Sequence, residues 1–410
     1  MNEFFLHYLW RHRLFDPLDL STKGGERVEV LQTGHYNRDA GPDFLEALVR
    51  IDGTRWVGSV EMHMRSSEWK QHGHDGDPAY ANVILHVVWE HDAEVYLPDG
   101  TNLPVLCLQG RLDAQLISRY SQLTMSHETI ACAAQWKGSF PPTAWHMLER
   151  AAAERLEKRT AYLLKLVDAR QGDWEAASWL WLARAFGQRV NADAFEQLAA
   201  SIPWKLVQRY AHAPLQLEAV LLGQAGMLSE EMGPHQTLLR NEYRYLSHKH
   251  GLQPAIGLHW RKLRMYPAGF PVNRLRQLLQ FVQLYPRLLS DLLEANELRQ
   301  LRVVFQQLGT ATARPGRASA DRWLINAAIP LVFAYGHYHQ LPALTEKALL
   351  WLEEIKPEDN HITRRYQNLG LKAVNALHSQ GILELHAVYC NPKRCLDCLI
   401  GNHWLLKKPP

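Results

Sequence analysis

Side chains able to bind a cation or move a proton crowd one stretch of the chain, residues 34–92, chief among them Asp43, Glu61, His63, His72, His74 and His86. Two carboxylates with a backbone carbonyl form a hard oxygen set suited to Mg²⁺ or Mn²⁺, which keeps several waters and can present one to a phosphate. Clustered imidazoles suit Zn²⁺, Fe²⁺ or Mn²⁺ instead. A neutral imidazole is also a base near neutral pH.

Strands must position these groups. The turn signal Asp39-Ala40-Gly41-Pro42 precedes a strand over residues 44–51, closed by the turn Asp52-Gly53-Thr54. Residues 56–65 read as its hairpin partner, with Val60, Met62 and Met64 on one face and Glu61, His63 and Arg65 on the other. Asp43 at the head of one strand and Glu61 in the middle of the next can therefore converge across the ladder. A third strand over residues 82–89 is almost wholly apolar and yet carries His86, with Asn82 on the same face. Such a histidine is either a satisfied core residue or, beside Glu61, a group that steers water or phosphate. The intervening "SSEWKQHGHDGDPAY" holds His72, His74, Asp75 and Asp77. It is either a polar surface loop or, together with His63, an imidazole metal site.

Pro42-Asp43 followed by Glu61-Met62-His63 resembles the PD-(D/E)xK nuclease superfamily, whose members bind the catalytic metal with an Asp at the start of one strand and an acidic-x-Lys tripeptide on the next. The resemblance implies a mixed-sheet α/β core and divalent-metal-dependent phosphodiester hydrolysis in DNA or RNA, by an endo- or exonuclease. Asp43 and Glu61 would hold Mg²⁺ or Mn²⁺, His63 would orient or deprotonate the attacking water, and His86 would contact phosphate or support the ligands. The departure is His63 in place of Lys, since a neutral imidazole neutralises charge poorly. Two alternatives follow: a non-catalytic nucleic-acid-binding or scaffold protein with a decayed site, or a hydrolase or oxygenase whose metal sits on His63, His72 and His74. From Phe4 to Leu405 the chain also resembles a bacterial family, domain of unknown function 2851, through "AGPDF", "GSVEMHMRSSEW", "DPAYANVILHVV", "FPVNR", "AAIPLVFAYG" and "YCNPKRCLDCLIG". That family name implies no particular biochemistry.

The 410 residues allow two or three domains, and 47% hydrophobic with 21% charged residues is ordinary globular composition. No apolar run approaches the ~20 residues of a membrane span, and the first residues lack a signal-peptide layout. A cytoplasmic protein with no membrane partner is expected. The net charge of +3 conceals an asymmetry, because residues 1–130 hold 11 Lys+Arg against 19 Asp+Glu and the remainder 34 against 23. Residues 3–14 read as an amphipathic helix stopped by Asp16-Pro17. Its Glu3 is a solvated helix-start carboxylate or, as the nuclease resemblance implies, a further acid of the site. Strands are expected to continue through residues 93–100 and 102–110.

The expected organisation is an α/β domain over residues 1–125, a linker over 126–142, a larger, basic, all-α domain over 143–385 and a Cys-cluster tail over 386–410. Two of its helices are expected at residues 323–335 and 341–355. Arg240, Arg244, Arg261, Lys262, Arg264 and Arg274 are interleaved with Tyr243, Tyr245, Trp260, Tyr266 and Phe270, the cation-plus-aromatic composition of a nucleic-acid groove. The same residues also fit a helical core with a solvated charged face. Cys390, Cys395 and Cys398 form a C-x4-C-x2-C cluster able to hold Zn²⁺ or an iron–sulfur cluster. His386 or His403 could complete a Zn²⁺ site, or all three thiols could stand reduced without metal. The nuclease resemblance implies Cys132 as a distant fourth ligand.

Overall fold

The computed structural model describes residues 1–136, 140–228, 233–255, 257–262, 269–309 and 314–407. The chain divides into two compact units, Met1–Lys137 with Val388–Pro410, and Gly138–Ala387.

The first unit is built on a mixed sheet of β1 (Val28–Gln32), β2 (His35–Tyr36), β3 (Phe44–Ile51), β4 (Thr54–Arg65), β5 (Val83–Glu90) and β6 (Val105–Cys107). The order is β1-β3-β4-β5-β6, with β2 also on β3. The β1, β2 and β4 pairings with β3 are antiparallel, whereas β4-β5 and β5-β6 are parallel. Helix α1 (Glu3–Arg11) starts at Asn2, whose side chain accepts from the Phe5 N–H, and buries Phe5, Leu6, Leu9 and Trp10. It ends three residues short of the expected boundary, as Arg13 adopts φ 51°. Helix α2 (Glu68–Gln71) and α3 (Ala114–Met125) complete the globular part, with Phe5 stacked 3.8 Å from Tyr120 of α3. The returning C-terminal segment adds α17 (Leu399–Leu405), and the Arg119 guanidinium of α3 donates to its Leu405 carbonyl at 3.2 Å.

Strand β4 is the centre of the sheet, and its residues 58–63 are buried on both faces. Two one-residue register shifts flank it. On the β3 side, Ala47 pairs with Gly58 but Phe44 with Val60, and Glu46 takes φ 57° at the bulge. One further step in that register sets Asp43 opposite Glu61, where an unbroken ladder would set it opposite Met62. On the β5 side, Ser59 pairs with Val83 but Val60 with Leu85, which brings His86 beside Glu61. Bulges re-aim side chains in this way.

Gly58 makes the second shift possible. A Cβ there would stand 2.5 Å from Ile84 Cγ2 and 2.7 Å from the Asn82 carbonyl oxygen. Gly58→Ala is expected to cost about 1–3 kcal/mol of stability, read as a lower denaturation midpoint of the protein. An unchanged midpoint would show that β5 moves aside freely.

The hairpin strands stand at the expected places. Residues 93–100 do not form a strand: β6 takes the ladder beside β5, and the earlier segment folds back on residues 101–103 through an isolated bridge from Tyr96 to Asn102, with the Leu103 N–H donating to the Val95 carbonyl and the Leu97 N–H to the Thr101 carbonyl. β1 and β2 were not expected; each is too short to carry a hydrophobic period.

The second unit is helical. It contains α4 (Thr143–Asp168), α5 (Trp174–Ala200), α6 (Trp204–Tyr210), α7 (Pro214–Gln224), α8 (Pro234–His250) and α9 (Pro271–Leu284). There follow α10 (Leu288–Glu294), α11 (Leu298–Gln307), α12 (Arg317–Trp323), α13 (Ile329–Tyr338), α14 (Pro342–Glu354), α15 (His361–Asn368) and α16 (Ala376–Glu384). A π-helical turn, Leu324–Ala328, joins α12 to α13, so the helix expected from residue 323 is an α-π-α composite. Its core includes the aromatic stack Phe186–Trp323, with ring centroids 4.7 Å apart, and Phe281–Phe305, 4.9 Å apart. Among the described residues no helix is long and apolar enough to cross a membrane.

Candidate functional site

The two register shifts bring Asp43, Glu61 and His86 to one level of the sheet. The carboxylates are interlocked across β3 and β4: the Asp43 N–H donates to Glu61 Oε2 at 3.0 Å, and the Met62 N–H donates to Asp43 Oδ2 at 3.0 Å. His63, two residues along β4, approaches His86 Nε2 through Nδ1 at 2.8 Å and His72 Nδ1 through Nε2 at 3.0 Å.

The loop after β4 is tied down so that its histidines return to the strand. Asp92 accepts from the Ser67 N–H at 2.8 Å and from the Ser66 and Ser67 hydroxyls. Trp69 is buried and donates to the Tyr96 carbonyl at 3.1 Å. His74 stacks on Tyr80 with ring centroids 3.8 Å apart. Asp77 is not part of the cluster; its carboxylate caps the turn Pro78–Tyr80 by accepting from the Ala79 N–H at 2.9 Å. Asp75 is exposed.

Four donors converge as a result. His63, His72 and His74 each offer a ligand atom, all within 4.8 Å of one another. Glu61 Oε1 lies 3.4 Å from His74 Nε2 and 3.7 Å from His63 Nε2. Ligands about 2.1 Å from a tetrahedral metal stand roughly 3.4 Å apart, so the distances from Glu61 to His74 and His63 fit a transition-metal shell, while the three imidazoles span up to 4.8 Å. Protonation agrees with that fit. Burial first, then the neighbouring His86, His72 and His74, lowers the His63 pKa to about 2, so its imidazole is neutral with a lone pair to give. Burial also lowers His86 to about 3 and moves His74 in the same direction. Burial and the Asp43 carboxylate push Glu61 up to about 9, a direction that a bound cation reverses. With a metal on His63 Nε2, its Nδ1–H would donate to His86 Nε2 at 2.8 Å, the outer hydrogen bond that fixes a ligand's tautomer. His86 Nδ1 has no partner among the described residues.

His7 is a site residue that the sequence reading missed. It projects from α1 with Nε2 3.1 Å from Asp43 Oδ2 and Nδ1 3.3 Å from the Tyr36 hydroxyl. A histidine in an otherwise apolar helix face was the available signal. Glu3, one turn earlier, stands 3.8 Å from His7 and lies close enough to Asp43 for their charges to interact, although burial is the larger cause of its raised pKa. Glu68 instead closes the strand end, accepting from the Met64 N–H at 3.0 Å. Beside His7 opens a cavity of about 360 Å³, also lined by Tyr36, Arg11, Arg38 and Arg394. Arg11 and Arg38 both lie over the Tyr36 ring, at 5.9 and 6.0 Å, and neither has a carboxylate partner among the described residues.

The cysteines fall in the same unit. Cys132 and Cys398 are buried and Cys390 and Cys395 partly so. Burial, and then the charges of Cys132 and Cys398, push the Cys395 thiol up to about 12, so these three are neighbours. His403 lies beside Trp136, with ring centroids 5.8 Å apart, and His386 of the helical unit faces the Tyr366 hydroxyl at 3.5 Å.

The basic stretch is divided. Arg244, Arg261 and Lys262 are exposed and Arg240 is half-buried, while Arg264 and Tyr266 lie outside the described residues. Arg274 turns inward, 4.9 Å over the Trp323 ring and 3.0 Å from Gln277 Oε1, and burial lowers its pKa to about 10. Two of the interleaved aromatics are structural: Tyr243 packs on Gly223, and Trp260 donates to the Ala225 carbonyl at 2.9 Å.

Comparison with curated proteins and with solved structures finds no match for the chain. A family model described as "Protein of unknown function (DUF2851)" matches residues 3–361, and the chain belongs to that family.

Proposed function

We propose that the first unit is a metal-dependent hydrolase that cleaves phosphodiester bonds in nucleic acid, with its metal held by His63, His72, His74 and Glu61. The observation that carries this reading is the convergence of three imidazoles within 4.8 Å of one another, with the buried Glu61 carboxylate 3.4 Å from His74 and 3.7 Å from His63. Bound there, Zn²⁺ or Mn²⁺ would supply Lewis acidity and a water acidic enough to act near neutral pH. The protein's own groups do the rest. His86 holds the His63 ring through its Nδ1. Asp43, partly exposed and 3.1 Å from His7 Nε2, accepts the proton of the attacking water and becomes neutral, and His7 orients that carboxylate for the transfer. Arg11 and Arg38 give the neighbouring cavity the positive charge that a phosphodiester requires, while Arg394 is paired there with Asp397 at 2.9 Å, and Tyr36 offers a stacking face. The exposed Arg244, Arg261 and Lys262, and the half-buried Arg240, are further candidates for backbone contacts.

A second reading places Mg²⁺ or Mn²⁺ between Asp43 and Glu61, as in the PD-(D/E)xK nucleases. The interlocked carboxylates on an antiparallel pair, followed by a parallel strand, favour it. In either case Cys132, Cys390, Cys395 and Cys398 are proposed ligands of Zn²⁺ or an iron–sulfur cluster that would tie the C-terminal segment to the α/β core.

Cleavage of single- and double-stranded DNA and RNA, measured with Zn²⁺, Mn²⁺ or Mg²⁺ restored to metal-stripped protein, tests the assignment. Asp43→Asn is expected to lower metal-dependent cleavage by about 10²–10⁴-fold while the protein still binds its transition metal. Cleavage at the wild-type rate would remove Asp43 from the reaction. No cleavage of any substrate by the wild-type protein with any of the metals would favour a nucleic-acid-binding scaffold.

A further inference from the structure

The helical unit contains a second cationic site that owes nothing to the metal centre. A cavity of about 580 Å³ lies among α4, α5, α12 and the π-helical turn, and its lining carries Arg155, Arg159, Arg184, Arg189 and Arg322 but no carboxylate. Arg155 and Arg159 are four residues apart on one face of α4. Arg155 is neutralised from outside the lining by Glu384 at 3.1 Å, and Arg184 by Asp193 at 2.6 Å and Glu196 at 3.0 Å. The other three have no carboxylate partner among the described residues. Arg159 donates to the Ile325 carbonyl at 2.9 Å and to Asn326 Oδ1 at 2.5 Å, and Arg322 donates to the Ser319 hydroxyl at 3.1 Å.

The backbone around this cavity is irregular at two places. Helix α5 breaks at Gln188, which lines the cavity with φ 53° and ψ −163°, a region that side chains other than glycine rarely occupy. Opposite it, the π-helical turn Leu324–Ala328 carries Asn326 and the two carbonyls that receive Arg159 and Trp181. Strained residues and π-bulges concentrate where a chain is shaped for a ligand. Three guanidinium groups without a carboxylate partner among the described residues, Arg159, Arg189 and Arg322, line one void, and burial together with Arg155 lowers the Arg159 pKa to about 9, so an anion there would relieve a standing electrostatic cost.

We propose that this cavity binds a compact polyphosphate, either inorganic pyrophosphate or the polyphosphate end of a nucleotide. Guanidinium forks match phosphate oxygens two at a time, and several forks around one pocket select a ligand with several charges over a single carboxylate. The volume falls within the ~300–1,000 Å³ of small-molecule sites. Trp181 and Trp323 line the same cavity, close enough to report a bound ligand by their fluorescence.

Titration of the full chain with inorganic pyrophosphate at constant ionic strength, by calorimetry and tryptophan fluorescence, tests the proposal. Arg189→Gln and Arg322→Gln change exposed side chains without a carboxylate partner, so thermal unfolding should be unaffected. Each is expected to weaken pyrophosphate binding about tenfold, and the pair about a hundredfold. A nucleoside triphosphate that binds more tightly than pyrophosphate assigns the cavity to a nucleotide; equal affinity assigns it to pyrophosphate itself. The proposal is overturned if pyrophosphate does not bind at millimolar concentration or if both variants bind it as the wild type does. Binding confined to a single-stranded oligonucleotide and lost in the same variants would also overturn it, in favour of a nucleic-acid groove.

Discussion

His63→Ala is expected to reduce transition metal retained through purification from about one ion per chain to background, measured by elemental analysis after dialysis. His63 sits at the junction of the cluster, with Nε2 3.0 Å from His72 Nδ1 and 3.7 Å from Glu61 Oε1 and Nδ1 anchored by His86 at 2.8 Å. Its removal deletes one donor and also frees His72, which is exposed and has no comparable anchor. The loss should exceed the roughly 10- to 100-fold that follows from removing only an outer partner of a ligand. His235→Ala provides the comparison, since that imidazole is well exposed and among the described residues pairs only with Glu218 at 3.6 Å. Metal content equal in the two variants would shift the ion to the Asp43–Glu61 position or end the metal assignment.

Gly381→Ala is expected to produce a large loss of stability. Helix α16 crosses α4 so closely at this point that a Cβ would stand 2.1 Å from the Leu148 carbonyl oxygen and 2.8 Å from its carbonyl carbon. Both atoms belong to helix backbone, so no side-chain rotation relieves the overlap and the helices must separate. Separation would also stretch the bonds from Arg155 to Gln380 and Glu384, which cross the same interface at 2.8 and 3.1 Å. Overpacking of this kind costs about 3 kcal/mol or more, which for a helical unit of this size lowers Tm by about 6–12 °C. Gly316→Ala is the control: a Cβ there meets nothing within 4 Å. A melting temperature for Gly381→Ala within a degree or so of that control would contradict the close approach.

Much of the first unit was legible because its strands carry their own signals. The run over residues 44–51 is apolar, begins after Gly41-Pro42 and ends at Asp52-Gly53, where Asp52 takes φ 45° and Gly53 φ 83°. The apolar third strand was equally plain, since parallel strands are buried on both sides. Short elements were not. Val28–Gln32 and His35–Tyr36 exist because β3 offers them an edge, whereas residues 93–100 meet only the three residues 101–103, too short a partner for a strand. The basic helical stretch shows the same limit, as periodicity does not tell whether an arginine points at solvent, as Arg244 does, or over a buried indole, as Arg274 does.

The sequence by itself determined which donors the site contains: carboxylates at Asp43 and Glu61, imidazoles at His63, His72, His74 and His86, and the turns that set their strands and loop apart. Only the tertiary structure decided which of them meet. A slip of one residue carries a side chain about 3.3 Å along a strand and to the opposite face. The shift between Phe44 and Ala47 aligns Asp43 with Glu61, and the shift between Ser59 and Val60 aligns His86 with the same carboxylate. Neither shift is written in the local pattern of β4. Each depends on the strand packed beside it, as does the approach of His7, which reaches Asp43 only because α1 lies against β4.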